Sequence, residues 1–265
     1  LIRGLNLDNE NIIAAYSIND LKMPLDYIFI TAKGNIKKTS LDRFETSYTK
    51  LQAIKLKDGD SLVMTELVER EREEQFIALT LNKGISFTLV EPGLTSSERN
   101  ILPQSLILLP DKLTIEKAVL VKEHTISEFT LGVSSSGNIK VIKSNKKDDY
   151  FKARVTQEDY LLIFTDGGKV YRIPSVIMEN LGDKELHLED ITGFASRKER
   201  VLNIVSSSMD IDKGIVYYFT SNGLIKKTAL KEFSGEFTEM QGYEFKSEGD
   251  SLVNIDISFE DDVNV

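Results

Sequence analysis

The stretch YIFITAKGNIKKTSLDRF, Tyr27 to Phe44, contains an apolar run, a turn at Lys33-Gly34-Asn35, the return Ile36-Lys37-Lys38-Thr39, and a closing Leu41 and Phe44. It occurs a second time as VYYFTSNGLIKKTALKEF, Val216 to Phe233. Aligned without gaps, Thr31, Gly34, Ile36, Lys37, Lys38, Thr39, Leu41 and Phe44 recur as Thr220, Gly223, Ile225, Lys226, Lys227, Thr228, Leu230 and Phe233. Self-similarity of this kind marks an array of like units.

The intervening chain carries weaker copies. Apolar and β-branched residues alternate up to a glycine turn and resume beyond it at Tyr27–Thr39, Phe76–Thr88, Phe129–Ile142, Leu161–Ile173 and Val216–Thr228, which predicts five hairpins. Their turns hold Gly34, Gly84, Gly137, Gly168 and Gly223, and glycine alone takes the positive φ of a tight turn without a Cβ penalty. After most hairpins comes an acidic or polar turn and a short apolar strand: LKDGDSLV (Leu56–Val63), LTIEKAVLV (Leu113–Val121), RKERVLNIV (Arg197–Val205) and KSEGDSLVNI (Lys246–Ile255). The turn acids in these are Asp60, Glu116, Glu199 and Asp250. Each unit thus reads as two hairpin-like halves.

Units of four short strands that cannot bury their own faces predict an all-β, propeller-like disc of four-stranded antiparallel blades. Five units are recognisable. The step from Gly137 to Gly168 is much shorter than the others, so the third unit is expected to be a stunted blade. NLDNENIIAAYSI, Asn6 to Ile18, reads as the second half of a partial sixth unit, and Leu1 opens mid-pattern, as an excised piece of a longer chain would. The expected units are 1–20 (partial), 21–72, 73–127, 128–158, 159–210 and 211–265, together one domain. Glu66–Gln75, ELVEREREEQ, is the one helical-looking stretch and reads as a charged connection between blades.

Composition narrows the chemistry. With no cysteine there are no disulfides or thiolate metal sites, which fits a reducing compartment. No apolar run approaches the roughly 18 residues of a membrane helix, so no membrane partner is expected. His124 and His187 fall in no metal or nucleophile–base spacing. The acids flanking Gly59 and Gly249 read as turn chemistry, because hard cations draw several oxygens from one loop.

The T-x-x-G-x-I-K-K-T-x-L-x-x-F pattern at Thr31–Phe44 and Thr220–Phe233, with the LKDGDSLV turn, resembles the repeats in the C-terminal domain of bacterial type IIA DNA topoisomerase A subunits, those of DNA gyrase and topoisomerase IV. The resemblance covers essentially the whole chain and is weakest in the third unit. It implies a β-pinwheel, whose neighbouring blades exchange strands and whose basic rim binds and bends duplex DNA, helping to present a segment for strand passage. In such enzymes the attacking tyrosine, the metal-binding carboxylates and the ATP site lie elsewhere. No catalytic residue, metal ligand or cofactor is therefore expected here, although the whole enzyme resembles those that use ATP and Mg2+. The implied partners are duplex DNA, the ATPase B subunit, and the N-terminal cleavage domain that shares the chain. The implied location is the bacterial cytoplasm, on the chromosome. The basic box Gln-Arg-Arg-Gly-Gly-Lys-Gly of gyrase does not occur between Leu1 and Val265. With the short third unit and the acidic balance, this tilts the resemblance toward topoisomerase IV.

A formal charge of −9 opposes polyanion binding if taken whole. The charges are segregated, however. The first hairpin carries Lys33, Lys37, Lys38 and Arg43; the third carries Lys140, Lys143, Lys146 and Lys147; the fourth carries Lys169 and Arg172; the last carries Lys226, Lys227 and Lys231. These thirteen are the candidate DNA contacts, and the acidic excess lies outside the hairpins. Down the units, the Lys37 position reads Lys37, Phe87, Lys140, Tyr171, Lys226, and the Lys38 position reads Lys38, Thr88, Val141, Arg172, Lys227. Consecutive strand residues point oppositely, so both columns face DNA only if the strand lies at the rim. Contact is expected at the first, third and last hairpins, non-specific in sequence and steeply salt-dependent. The alternative reading is a protein-interaction propeller that works through its acidic surface.

Overall fold

The computed structural model describes residues 10–73, 75–143, 148–208 and 211–259. The first hairpin is β1 (Leu25–Thr31) with β2 (Asn35–Ser40), followed by β3 (Leu62–Glu69). The second is β4 (Phe76–Leu81) with β5 (Ser86–Val90), followed by β6 (Gln104–Ser105) and β7 (Ile115–Val121). The third is β8 (Glu128–Ser134) with β9 (Asn138–Val141), followed by β10 (Tyr150–Thr156). The fourth is β11 (Tyr160–Thr165) with β12 (Lys169–Pro174), followed by β13 (Leu186–His187), the single turn α1 (Leu188–Ile191) and β14 (Val201–Ser206). The last is β15 (Ile215–Thr220) with β16 (Ile225–Ala229), followed by β17 (Glu239–Gln241) and β18 (Leu252–Ser258). All five turn glycines hold positive φ, from 71° at Gly84 to 92° at Gly137.

Both faces of these sheets are covered, so their first strands are apolar almost throughout rather than alternating. In the fourth sheet Leu161, Ile163, Tyr171 and Ile173 point into a core shared by the first four units, while Leu162, Phe164 and Val170 join a second core with Val216, Tyr218, Leu230 and Phe233 of the fifth.

The sheets interlock. β6 leaves the second unit to pair with β2, with Ile36 opposite Gln104 and Asn35 opposite Ser105. β13 pairs with β9, and β17 pairs with β12, in the same sense. Three sheets therefore hold four strands, in the orders β3-β1-β2-β6, β10-β8-β9-β13 and β14-β11-β12-β17, the fourth strand always coming from a later unit. Each exchange is closed at the turn glycine. The Gly34 carbonyl accepts from Leu106 N (2.8 Å) and Ile107 N (3.1 Å), the Gly137 carbonyl from Leu188 N (2.8 Å), and the Gly168 carbonyl from Gly242 N (2.8 Å) and Tyr243 N (3.0 Å).

The short third unit acts on its neighbour. β8, β9 and β10 of the third unit all lie in its own sheet, which still takes β13 from the fourth, and no described strand of the third unit is donated to the second. The second sheet, β5-β4-β7, has only three strands in consequence. Its edge is closed from the fourth unit, where Asn180 Nδ2 donates to the Ser86 carbonyl (3.0 Å) and the short turn Ser175–Met178 packs against β5.

Two sequence expectations are revised. The described residues of Glu66–Gln75 form no helix: Glu66–Glu69 finish β3, with Leu67 opposite Tyr27 and Val68 opposite Asp26. Alternation of apolar and charged side chains on a half-covered strand mimics a charged helix over so short a span. Within Asn6–Ile18, residues 10–18 form no strand, and residues 6–9 lie outside the described set. Tyr16 meets the first sheet, its hydroxyl donating to the Thr65 carbonyl (2.8 Å) and its ring meeting Tyr27 edge-on.

The exchange predicts unequal costs at equivalent glycines. A Cβ on Gly223 would meet nothing within 4 Å, so Gly223→Ala is expected to lose only the left-handed backbone penalty of about 1–2 kcal/mol. A Cβ on Gly168 would lie 2.4 Å from the Tyr243 carbonyl oxygen, so Gly168→Ala should lower the melting temperature well beyond Gly223→Ala. Equal losses in thermal melts would contradict the interlock.

Candidate nucleic-acid interface

The hairpin return strands place the two basic columns on opposite faces, as strand geometry requires. In the Lys37 column, Lys37, Phe87 and Tyr171 are all buried, which identifies it as an inter-sheet packing face. Lys37 is only 3% exposed, and its ammonium donates to the carbonyls of Arg99 (2.7 Å) and Ile101 (2.8 Å). Burial, with the nearby Arg99 guanidinium, pulls its pKa below that of an ordinary lysine. Lys37 is thus withdrawn from any rim and holds the second unit's 99–101 segment against the first sheet. Lys226 occupies the same position but is exposed, beside the rings of Tyr218 and Tyr243 at 5.9 and 5.4 Å.

The Lys38 column is at least partly open throughout, yet several of its cations are committed. Lys38 lies 3.8 Å from the carboxylate of Asp26, a buried acid that also meets Arg70 Nε at 3.4 Å. Arg172 is sandwiched by rings, its guanidinium 3.5 Å from the Tyr160 centroid and 6.0 Å from that of Phe237, and burial lowers its pKa. Lys227 is exposed.

The other candidates divide similarly. Arg43 pairs with Glu98, Lys143 with Asp183 (2.5 Å) and Lys169 with Glu239 (2.5 Å). The hydrogen bond to Glu239 raises the Lys169 pKa. Lys140 lies 3.7 Å above the Tyr150 ring, and exposed Lys33 donates to the Asp58 carbonyl (2.9 Å). Lys231 is exposed on the turn after β16. Lys146 and Lys147 lie outside the described residues. Among the described candidates, only Lys227 and Lys231 hold no acid, aromatic ring or backbone carbonyl with their ammonium groups, and exposed Lys226 lies on the opposite face of β16.

Sequence reading missed Asp26 and Arg70, because an acid inside an apolar strand carries no motif. The buried partner of Lys38 is visible only once β3 returns beside β1.

The turn acids serve as latches between the halves of a unit. Asp60 Oδ1 accepts from Lys33 N (3.0 Å) and Ser61 N (2.9 Å), and its Oδ2 accepts from Asn35 Nδ2 (3.0 Å). Asp250 Oδ1 accepts from the Ser221 hydroxyl (3.0 Å), Asn222 N (3.1 Å) and Ser251 N (3.0 Å). In the fourth unit buried Glu199 accepts from Thr165 and Tyr171. Glu116 does not share the role: it is exposed on β7, and Asn82 makes the link instead, accepting from Thr114 N (3.0 Å) and donating to the Lys112 carbonyl (2.9 Å). Oxygens so occupied by backbone donors are poor cation ligands. Among the described residues no group of three His, Asp or Glu side chains converges to hold a metal.

An array of sheets interlocked through glycine turns defines a propeller-type repeat domain. The model of the DNA gyrase C-terminal domain family, a beta-propeller, matches residues 26–65, 159–175 and 216–235, within the first, fourth and last units. The DNA gyrase A subunit of Mycoplasma pneumoniae is 33% identical over 264 residues, covering 88% of this chain and 29% of that protein. The corresponding Mycoplasma genitalium protein is 26% identical over 252 residues, with the same coverages. The DNA topoisomerase 4 A subunit of Staphylococcus aureus is 34% identical over 83 residues, 31% of this chain and 10% of that protein. A solved C-terminal domain of DNA topoisomerase IV aligns over 92% of this chain and 65% of its own, at 16% identity and a TM-score of 0.40. The chain thus matches the DNA gyrase C-terminal domain family in three of its units, and its relatives carry both the gyrase and the topoisomerase IV A subunit names. It spans under a third of the length of those relatives.

The latch has a pH signature. Burial works to raise the Asp250 pKa, but hydrogen bonds from Ser221, Asn222, Thr220 and Ser251 outweigh it and hold the carboxyl below its usual value. A depressed folded-state pKa gives stability that is full above the unfolded value of about 3.9 and is lost as pH falls through the folded one. Asp250→Asn should therefore lower the melting temperature at pH 7, and the gap from wild type should narrow as pH falls toward 3. A gap independent of pH in thermal melts would count against the latch.

Proposed function

We propose that this chain is a non-catalytic, DNA-binding and DNA-bending domain of a type IIA topoisomerase A subunit, and that Lys226, Lys227 and Lys231 supply its main phosphate contacts. The observation that carries this is the exposure of Lys226, Lys227 and Lys231 on the last hairpin, in a chain whose other described candidate cations are mostly paired or stacked. Lys33 and Lys140 keep their charge near the surface and extend the contact to the first and third hairpins. Side chains of this kind neutralise phosphates without reading base edges, so binding is independent of sequence and steep in salt. A positive surface interrupted at the second hairpin favours a shallow bend, since deforming 20–30 base pairs by 40–90° costs about 1–6 kcal/mol that phosphate contacts must offset.

In the whole enzyme this domain would present DNA for strand passage. Its companions would be the N-terminal cleavage domain of its own chain and an ATPase B subunit, with ATP and Mg2+ bound elsewhere. The setting is the bacterial cytoplasm, on the chromosome. The acidic balance and the short third unit favour topoisomerase IV as the parent over gyrase.

The buried and open lysines should separate in one titration. The double variant Lys227→Glu/Lys231→Glu is expected to weaken binding to a mixed-sequence duplex at low salt by tenfold or more, and to reduce the slope of log K against log salt by about two. Lys37→Met should leave that slope unchanged and lower the melting temperature instead. Unchanged affinity in the double variant, measured by fluorescence anisotropy, would sink the proposal.

A further inference from the structure

The last hairpin lacks what completes three of the others. The two residues after the turn glycine receive the donated strand: Asn35 and Ile36 from β6, Asn138 and Ile139 from β13, Lys169 and Val170 from β17. Ile36, Ile139 and Val170 are each 0% exposed beneath it. Their counterparts beside and on β16 are bare, Leu224 at 44% and Ile225 at 56% exposed. No described residue donates to the Gly223 carbonyl, whereas those of Gly34, Gly137 and Gly168 all accept amides from the donated segment. The second hairpin also lacks a donated strand, but Asn180 and the Ser175–Met178 turn close its edge. On β16, no described residue does so.

The backbone is set for pairing. Thr220 N bonds to the Leu224 carbonyl (3.0 Å), so Leu224 spends its groups on β15, and strand alternation turns the N–H and C=O of Ile225 and Lys227 outward. In the fourth hairpin the corresponding residues make the exchange: Val170 lies opposite Met240, and Arg172 N donates to the Thr238 carbonyl (3.0 Å). Apolar side chains beside unpaired strand groups are a template for strand addition.

We propose that the edge of β16 is a docking site for an extended acidic peptide segment of a partner protein. The β12–β17 pairing supplies the register and the chemistry. There Glu239 lies opposite Tyr171 and pairs with Lys169, Met240 covers Val170, and Tyr243 follows with its amide on the glycine carbonyl. Transferred to β16, an acid falls opposite Lys226, an apolar side chain covers Ile225, and an aromatic or large aliphatic residue follows three positions later. Lys226, Lys227 and Lys231 surround this track with positive charge, which selects acidic segments over basic ones. The proposal shares these three lysines with the proposed DNA contact and is distinguished from it by the backbone edge groups and by Ile225.

The probe is the chain's own donated sequence, Glu-Met-Gln-Gly-Tyr-Glu-Phe (Glu239–Phe245), as a labelled peptide added to the 265-residue protein. Binding should be saturable and should shift the amide resonances of Ile225 and Lys227. Ile225→Pro removes an outward N–H that no internal bond uses, so it should weaken binding at least tenfold while the protein stays folded by circular dichroism. Lys226→Glu should weaken the same peptide several-fold and favour a peptide whose first residue is Lys. That charge swap keeps the proposal testable if the proline variant does not fold. Absence of saturable binding would overturn it, as would binding indifferent to both substitutions. Amide shifts at Ile225 and Lys227 produced by duplex DNA but not by the peptide would assign the edge to the nucleic-acid surface. Concentration-dependent dimerisation abolished by Ile225→Pro would assign it to a second copy. Either result overturns the peptide reading.

Discussion

The carbonyl of a turn glycine is the point on which this fold depends. A left-handed turn points that oxygen at the following unit, and the absence of a side chain lets that unit's backbone approach: Ile107, Leu188 and Tyr243 all donate their amides there. Any residue with a Cβ would both strain the turn and intrude on the incoming chain. The donated strands are only two or three residues long, too short to be stable as free strands, and they persist because each is paired on the preceding hairpin and followed by a segment anchored at this carbonyl.

Charge is subordinate to this architecture. Lys37, in the strongest repeat of the sequence, is spent on two carbonyls of the neighbouring unit, and Lys38 on a buried aspartate. Burying an ammonium is tolerable only with such partners, since an unpaired buried charge would cost several kcal/mol. The exposed cations Lys226, Lys227 and Lys231 lie instead on the last hairpin, whose β16 edge no described strand covers. The same Lys-Lys pair therefore serves packing at one position and surface chemistry at the other.

The hairpins were legible in the sequence because strand alternation and turn glycines are local properties. The spacing from turn glycine to turn acid was legible too, and in the first and last units it corresponds to the contacts of Asp60 and Asp250. The donated strands were not, because Gln104-Ser105 and Leu186-His187 carry no pattern that a two-residue strand could express. Glu66–Gln75 was misread because charged residues on the outer face of β3 have the composition of a solvated helix. The burial of Lys37 was hidden for a different reason: its sequence match with Lys226 is perfect, and only the packing of the distant 99–101 segment over Lys37 sets the two apart.

Because each completed sheet borrows its last strand from a later unit, this chain cannot finish a blade when the ribosome finishes the corresponding residues. The first sheet waits for Gln104 and Ser105, the third for Leu186 and His187, and the fourth for Glu239 to Gln241. Folding during synthesis must trail elongation by about one unit, with the edge of β2 unpaired until the second hairpin has emerged. The order of the genetic message is thereby written into the order of closure, and the second sheet, which no later strand completes, is sealed only when Asn180 arrives.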